Sequence, residues 1–354
     1  MQQPDFSQLQ RVLNRVPTER PVLFEFYIDW DPIRQVLGSK MVDQDNPPLG
    51  WVKNYINAHV ELGYDGFVMG ILGFKFETGV HKKAESVSQN EGAIIFDRKS
   101  FETYQWPDPD AIDVTKVLDE IQAFTPNGMK MIFTGGIGIM EAIVALVGFE
   151  NLCYLMFEEP ALIEDICSEI GTRLNRFFER CMNHQVVGAA IISDDWGFKS
   201  STMISPESLR KFIFPWHKKI VETIHSHGKP AILHSCGQVE DVMEDIIEDL
   251  KYDAKHSFED IILPVEQVYE RWGNRIAILG GFDIDYLSRS KPEVVYQRAK
   301  AILEQTRQRG GYALGTGNSI TNYIPMENYY AMASAAKQLN FILMTLERCL
   351  MSQI

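Results

Sequence analysis

The sequence predicts an α/β protein, a single (β/α)8 TIM barrel over residues 1–354 with an N-terminal helical extension and a long loop after the second strand. Two observations predict this fold. Eight short apolar runs alternate with amphipathic stretches along the chain, and eight is the strand number of that barrel. Glycine, proline and capping residues also separate the runs from the helical stretches. A doubly wound sheet is the alternative, but no G-x-G-x-x-G motif follows a first strand.

The apolar runs are expected to be parallel strands that are buried on both faces. In chain order they are Val22–Tyr27, Gly66–Gly70, Lys130–Thr134, Gly188–Ser193, Ala231–His234, Tyr252–His256, Ile276–Gly280 and Gly311–Gly315. The periodicity of the remaining apolar residues predicts the helices between them. These are Leu162–Asn183, Pro206–His227, Val239–Leu250, Val265–Trp272, Pro292–Gln308 and Met326–Leu346.

The helix Pro206–His227 has the clearest boundary signals. Ser205 is suited to cap it, Pro206 takes the first helical position, and Glu207 places a negative charge in the first turn. Gly228 then ends the helix before the next strand. The segment Gly73–Pro109 lacks such signals, and we predict a long loop that covers the barrel mouth near strand five.

Composition limits the class of protein. The chain is 45% apolar and 23% charged, and its formal net charge of −14 disfavours a nucleic-acid partner, because phosphate binding needs a basic face. No apolar run reaches the roughly 18 residues that span a bilayer, so no membrane association is expected. The five cysteines are scattered and the N-terminus lacks a signal-peptide pattern, which predicts a cytoplasmic protein without a disulfide framework. A homodimer is left open.

Polar residues collect after the predicted strands, where barrel enzymes have their active sites. The predicted catalytic residues are Asp194, Asp195, Lys255 and Glu259. The predicted substrate-binding residues are Glu25, Trp196, His256, Asp283 and Asn318. Structural alternatives stay open, because an aspartate can cap a helix, a lysine and a glutamate can pair, an asparagine can serve a turn, and a tryptophan can lie in the core.

The tetrapeptide His234-Ser235-Cys236-Gly237 ends the predicted strand Ala231–His234. Residues two apart on a strand point to the same side, so His234 and Cys236 are expected to project together. An imidazole and a thiolate on one side make half of a zinc site, and both residues are predicted metal ligands. The alternative is a small buried cysteine beside a core histidine.

Several segments of the second half of the chain resemble one superfamily. They are Ser193-Asp194-Asp195-Trp196-Gly197, Ile204-Ser205-Pro206-Glu207, His234-Ser235-Cys236-Gly237, Asp253-Ala254-Lys255-His256-Ser257-Phe258-Glu259-Asp260, Leu279-Gly280-Gly281-Phe282-Asp283, Gly315–Pro325 and Glu327-Asn328. In them the chain resembles the uroporphyrinogen decarboxylase superfamily, and most closely its zinc-dependent, corrinoid-linked methyltransferase branch. The resemblance implies one barrel domain.

One activity in this superfamily is cofactor-free decarboxylation. The decarboxylase, as the family implies, uses arginines in its opening segment and an aspartate after strand two. Here strand one leads into Glu25-Phe26-Tyr27-Ile28-Asp29 and strand two into Met69-Gly70-Ile71-Leu72-Gly73, without those residues. A polycarboxylate porphyrinogen needs fixed positive charge in its pocket, so decarboxylation is the alternative activity. A barrel that binds without catalysis is a further alternative.

The methyltransferase branch implies zinc held by the His and Cys of an H-x-C-G motif and by another Cys after strand eight. His234 and Cys236 match the motif, whereas Asn318, a poor zinc ligand, stands where the other Cys is expected. The remaining ligands are then expected among Asp194, Asp195, His256, Glu259 or water. The implied protein is a methyltransferase subunit with zinc as Lewis acid. It would move a methyl group between a small-molecule methyl donor or thiol acceptor and the methylcorrinoid of a partner corrinoid protein.

Overall fold

The computed structural model describes residues 3–43, 49–79 and 89–337. The strands are β1 (Gly66–Gly70), β2 (Lys130–Thr134), β3 (Val187–Ser193), β4 (Ala231–His234), β5 (Ala254–His256), β6 (Ala277–Leu279) and β7 (Tyr312–Ala313). They form a parallel seven-stranded sheet in sequence order, β1 to β7. Parallel neighbours need crossover connections, and the helices supply them. The fold is therefore of the α/β class.

The helices alternate with these strands. They are α1 (Phe6–Leu13), α2 (Trp30–Leu37), α3 (Gly50–Leu62), α4 (Arg98–Thr103), α5 (Val114–Phe124), α6 (Ile139–Val147), α7 (Phe149–Glu158), α8 (Pro160–Met182), α9 (Pro206–Ser208), α10 (Phe214–Ser226), α11 (Val265–Trp272), α12 (Ile284–Arg289) and α13 (Pro292–Thr306). A further helix begins at residue 326 and continues to 337, the last described residue. None of the described helices is by itself long and apolar enough to cross a membrane, and only α6 and α7, bent by 96°, reach that length and composition as a pair.

The described residues form two compact units. The first unit draws on Met1–Val68, Asp119–Ile132 and Asp253–Ile354, and it contains β5, β6 and β7. The second unit draws on Met69–Leu118 and Phe133–Tyr252, and it contains β3 and β4.

The predicted elements agree with the observed ones to different degrees. β1, β2 and β4 have the predicted bounds, and β3, β5, β6, β7, α8, α11 and α13 agree to within two residues at each end. The predicted helix Pro206–His227 is divided into α9, a π-helical turn over Leu209–Ile213, and α10. The predicted helical stretch Val239–Leu250 is helical but irregular, with a 3-10 turn over Glu240–Val242 and a π-helical turn over Asp245–Asp249. The predicted end at Leu346 lies outside the described residues.

The predicted first strand, Val22–Tyr27, is not a continuous strand in the structure. Leu23 pairs in parallel with Leu314 and Ile28 with Ile320, but the ladder is interrupted between these two pairs, at Thr316. The Thr316 N–H donates to the buried Glu25 side chain at 3.2 Å instead of to a backbone carbonyl. Gly315 permits this close approach, since a Cβ there would lie 1.7 Å from the Phe24 carbonyl oxygen. Because the Glu25 side chain accepts the Thr316 N–H in place of a backbone carbonyl, the predicted strand forms only isolated β-bridges.

The predicted loop Gly73–Pro109 is described except for residues 80–88. It contains the short helix α4 and contacts the helices of the second unit. The Ile94 and Ile95 N–H groups donate to the Leu146 carbonyl in α6, and Arg173 in α8 donates to the Pro107 carbonyl. The predicted position of this loop near the fifth predicted strand, which is β4 in the structure, stays a prediction. The N-terminal helical extension also stays a prediction.

Candidate metal centre

The carboxyl ends of β3 and β4 lie side by side in the second unit, because the strands pair in parallel up to Ser193 and His234. The Asp194 N–H continues the ladder by donating to the His234 carbonyl at 2.9 Å. The Trp196 N–H donates to the Ser235 hydroxyl at 3.2 Å. The residues that follow each strand therefore leave the sheet next to one another.

Three potential ligands meet at this point: Asp195, His234 and Cys236. One ligand atom from each lies within 4.8 Å of the other two. The Cys236 Sγ is 3.5 Å from the His234 Nε2, and the Cys236 N–H donates to the Asp195 Oδ1 at 2.8 Å. Tetrahedral zinc with ordinary bonds to sulfur and nitrogen would separate those two atoms by roughly 3.5 Å. The spacing of the sulfur and nitrogen atoms therefore suits zinc, and the Asp195 carboxylate lies near enough to offer an oxygen donor.

Asp194, one residue earlier, has a different position from Asp195. It is fully buried, and its carboxylate accepts from four donors. These are the N–H groups of Met140 and Glu141 at the start of α6, the Trp196 Nε1, and the His217 Nε2, at 2.7–3.0 Å. Negative charge is stabilised at a helix N-terminus. Asp194 therefore anchors α6, and its predicted catalytic role stays a prediction.

Close approach to α6 requires a glycine. A Cβ at Gly138 would lie 2.2 Å from the Asp194 Cβ, so only glycine lets the carboxylate reach the helix start. Trp196 is also fully buried, with its ring 4.9 Å from Phe214 and 4.8 Å from His217. The structure therefore places Trp196 in the core, and its predicted role in substrate binding stays a prediction.

His217 and Tyr252 belong to this buried network and were not singled out by the sequence. The His217 Nδ1 lies 2.6 Å from the Tyr252 hydroxyl, opposite the bond to Asp194. Burial, and then the charge of Asp194, raise the pKa of Tyr252 well above its ordinary value, so its hydroxyl keeps the proton and donates. Both residues lay in predicted apolar elements, and no local pattern distinguished them.

Glu141 is a second residue that the sequence did not indicate. Burial, and then the charges of Asp194 and Asp195, raise the pKa of its half-buried carboxyl well above the ordinary value. The sequence feature that could have indicated Glu141 is its position three residues after Gly138, the spacing of a capping box. In the structure the Glu141 side chain accepts from the Gly138 N–H.

In the first unit, Thr316 connects two of the predicted substrate-binding residues. The Thr316 N–H and hydroxyl both donate to the Glu25 carboxyl, and the Thr316 carbonyl accepts from the His256 Nε2 at 3.1 Å. Tyr64 also donates to Glu25, at 3.5 Å. Burial raises the pKa of Glu25 to about 8, against the bonds from Thr316. Burial, and then the charge of Lys255, lower the pKa of His256 to about 3, so the imidazole is neutral.

We expect Glu25→Gln to become progressively more stable than the wild type between pH 5 and pH 8. The folded-state pKa of about 8 exceeds the ordinary 4.5, so the folded wild type holds an extra proton and loses stability as pH rises through this window. The difference should grow to a few kcal/mol, at about 1.4 kcal/mol per pKa unit. Urea unfolding of both proteins across this range measures it. Parallel pH profiles would contradict it, because the two chains share every other titrating group.

The remaining predicted residues also lie in the first unit. The buried Lys255 Nζ donates to the Ser257 carbonyl at 2.7 Å and lies 4.2 Å from the Phe258 ring centroid. Asp283 caps α12 by accepting from the Tyr286 N–H at 2.8 Å, and its predicted role in substrate binding stays a prediction. The Asn318 Oδ1 accepts from the Ser319 hydroxyl at 3.1 Å. The Glu259 carbonyl accepts from the backbone N–H groups of the following turn, and its side chain is half-buried.

The fold and the cluster together define the class of protein. It is an α/β protein with potential metal ligands at the carboxyl ends of two parallel strands. The family model for uroporphyrinogen decarboxylase (URO-D) matches residues 74–339. The chain belongs to this family.

Two curated relatives differ in activity. The chain is 31% identical over 140 residues to the methylated-thiol–coenzyme M methyltransferase of Methanosarcina mazei, a match that covers 39% of this chain and 35% of that protein. It is 24% identical over 274 residues to the uroporphyrinogen decarboxylase of Anaeromyxobacter dehalogenans, which covers 75% of each chain. The chain thus aligns with about a third of the first relative's length.

Solved structures share the fold. A methyltransferase from Methanosarcina mazei superposes with a TM-score of 0.68 at 15% identity, over 95% of this chain and 99% of that one. A putative vitamin-B12-independent methionine synthase from Listeria monocytogenes gives a TM-score of 0.52 at 10% identity, over 91% of this chain and 99% of that one. At these identities the likeness concerns the fold alone.

Proposed function

We propose that the protein is a methyltransferase subunit that uses zinc, held by His234, Cys236 and Asp195, to transfer a methyl group between a small molecule and a corrinoid protein. The observation that carries the proposal is the meeting of three potential ligand atoms within 4.8 Å at the ends of β3 and β4. The 31% identical relative, itself named as a methyltransferase, supports the reaction type.

The residues in and beside the cluster have different proposed roles. Zinc, when bound, would supply a Lewis acid that polarises the bond between the methyl group and its heteroatom. His234, Cys236 and Asp195 would hold the ion and leave a position for the substrate, as catalytic zinc sites do. Asp194 is a positioning residue, because its bonds to α6 and His217 hold the backbone of the segment that carries Asp195.

The alternative of a cofactor-free decarboxylase gains no support from Glu25 and His256. A porphyrinogen pocket needs fixed positive charge, and a buried carboxyl and a neutral imidazole do not supply it. A single closed barrel, a cytoplasmic location and a possible homodimer belong to this proposal as predictions.

Formation of methylcobalamin tests the function. We expect the zinc-loaded full chain, but not the zinc-free chain, to convert cob(I)alamin to methylcobalamin with a methylated small molecule such as methanol, anisole or dimethyl sulfide. The change is followed by visible absorption, with Cys153→Ala as control, since Cys153 lies outside the cluster. Metal-independent turnover of a porphyrinogen would instead identify a decarboxylase, and inactivity in both assays would favour a barrel that binds without catalysis.

A further inference from the structure

The cluster contains a single thiolate donor, and this bears on the substrate. Of the four cysteines that the structure describes, Cys236 alone belongs to the cluster. Cys167 and Cys181 lie in α8, where burial raises the pKa of both thiols, and Cys153 lies in α7. Within the described residues, the donor set is one imidazole, one thiolate and one carboxylate.

The carboxylate is held in a way that weakens it as an electron donor. The Asp195 Oδ1 accepts from the Cys236 N–H at 2.8 Å, so a neighbouring ligand's backbone fixes its orientation and draws charge from it. Carboxylate is also a harder donor than thiolate. A divalent ion in this set therefore keeps more positive charge than one held by an imidazole and two thiolates.

We infer that this donor set selects a methyl substrate that presents oxygen to the metal, namely an alcohol, a phenol or a methyl ether, over one that presents sulfur. The inference rests on the proposed function and follows from the preference of hard acids for hard donors. Asp195 is the residue whose donor atom determines this preference.

Cobalt(II) is the probe, because its visible spectrum reports the donor atoms around it. Phenol and thiophenol, which differ only in oxygen against sulfur, are titrated into the cobalt-loaded full chain, its Asp195→Cys variant and the conservative Asp195→Glu variant. In Asp195→Cys we expect the thiolate-to-cobalt absorption to double approximately. The ratio of phenol affinity to thiophenol affinity should fall by about tenfold or more, whereas Asp195→Glu should stay within about threefold of the wild type.

The results of these titrations distinguish a failure of the inference from a failure of the proposed function. If cobalt binds and the affinity ratio is unchanged in Asp195→Cys, the inference is overturned while the metal site stands. If the wild type binds no cobalt, the proposed function fails and the inference fails with it. Should Asp195→Cys not fold, Asp195→Asn keeps the shape without the charge, and an undiminished cobalt affinity there would also overturn the inference.

Discussion

Replacing Asp194 by alanine is expected to lower the free energy of unfolding by about 3–5 kcal/mol, because it removes a buried carboxylate and leaves its hydrogen-bond donors without an acceptor. Two backbone N–H groups at the start of α6, the Trp196 indole N–H and the His217 imidazole would lose their acceptor in the interior. Urea unfolding of the wild type and the variant, followed by far-ultraviolet circular dichroism, measures the loss.

The neighbouring aspartate is the matched control for this experiment. Asp195 is half-buried and accepts from the Cys236 N–H. Asp195→Ala should therefore cost about 1 kcal/mol. Equal losses of stability in the two variants would contradict the assignment of Asp194 as the anchor of α6.

Replacing Cys236 by alanine is expected to lower zinc affinity by about a hundredfold to a thousandfold. Binding of zinc to a structural site with four ligands is worth about 10–16 kcal/mol, so an even share is roughly 2.5–4 kcal/mol per ligand. A loss of that size corresponds to the expected change in affinity. The measurement is zinc content after dialysis against a chelator.

Cys153→Ala provides the comparison, because Cys153 is likewise half-buried but lies in α7, outside the cluster. Cys153→Ala should retain as much zinc as the wild type. Equal retention by the wild type and Cys236→Ala would remove the metal site, and with it the main reason for preferring methyl transfer.

Local patterns in the sequence were sufficient for features that depend on a few neighbouring residues. The apolar run Ala231–His234 gave the bounds of β4, because a strand buried on both faces is apolar throughout. The two-residue spacing of His234 and Cys236 predicted that both side chains share a side, and their ligand atoms are 3.5 Å apart. Both features depend on residues that are close together in the chain.

Features that depend on distant segments were beyond local patterns. The sequence did not distinguish Asp194 from Asp195, because three of the four donors to Asp194 lie on α6 and α10, more than 20 residues away. The strand predicted at Val22–Tyr27 was interrupted by a bond between Glu25 and Thr316, which are 291 residues apart. Only the packed chain determines which donor reaches a buried carboxyl.

The bond between Glu25 and Thr316 also has a consequence for biosynthesis. A ribosome adds about 5–20 residues per second, so Glu25 emerges roughly 15–60 seconds before Thr316. During that interval the apolar residues around Glu25 lack the segment that pairs with them in the first unit. The second unit draws on residues that are all translated before Thr316, so its own contacts can form earlier. The segment around Glu25 therefore forms its native backbone pairs with Leu314 and Ile320 only late, after the residues of the second unit have been translated.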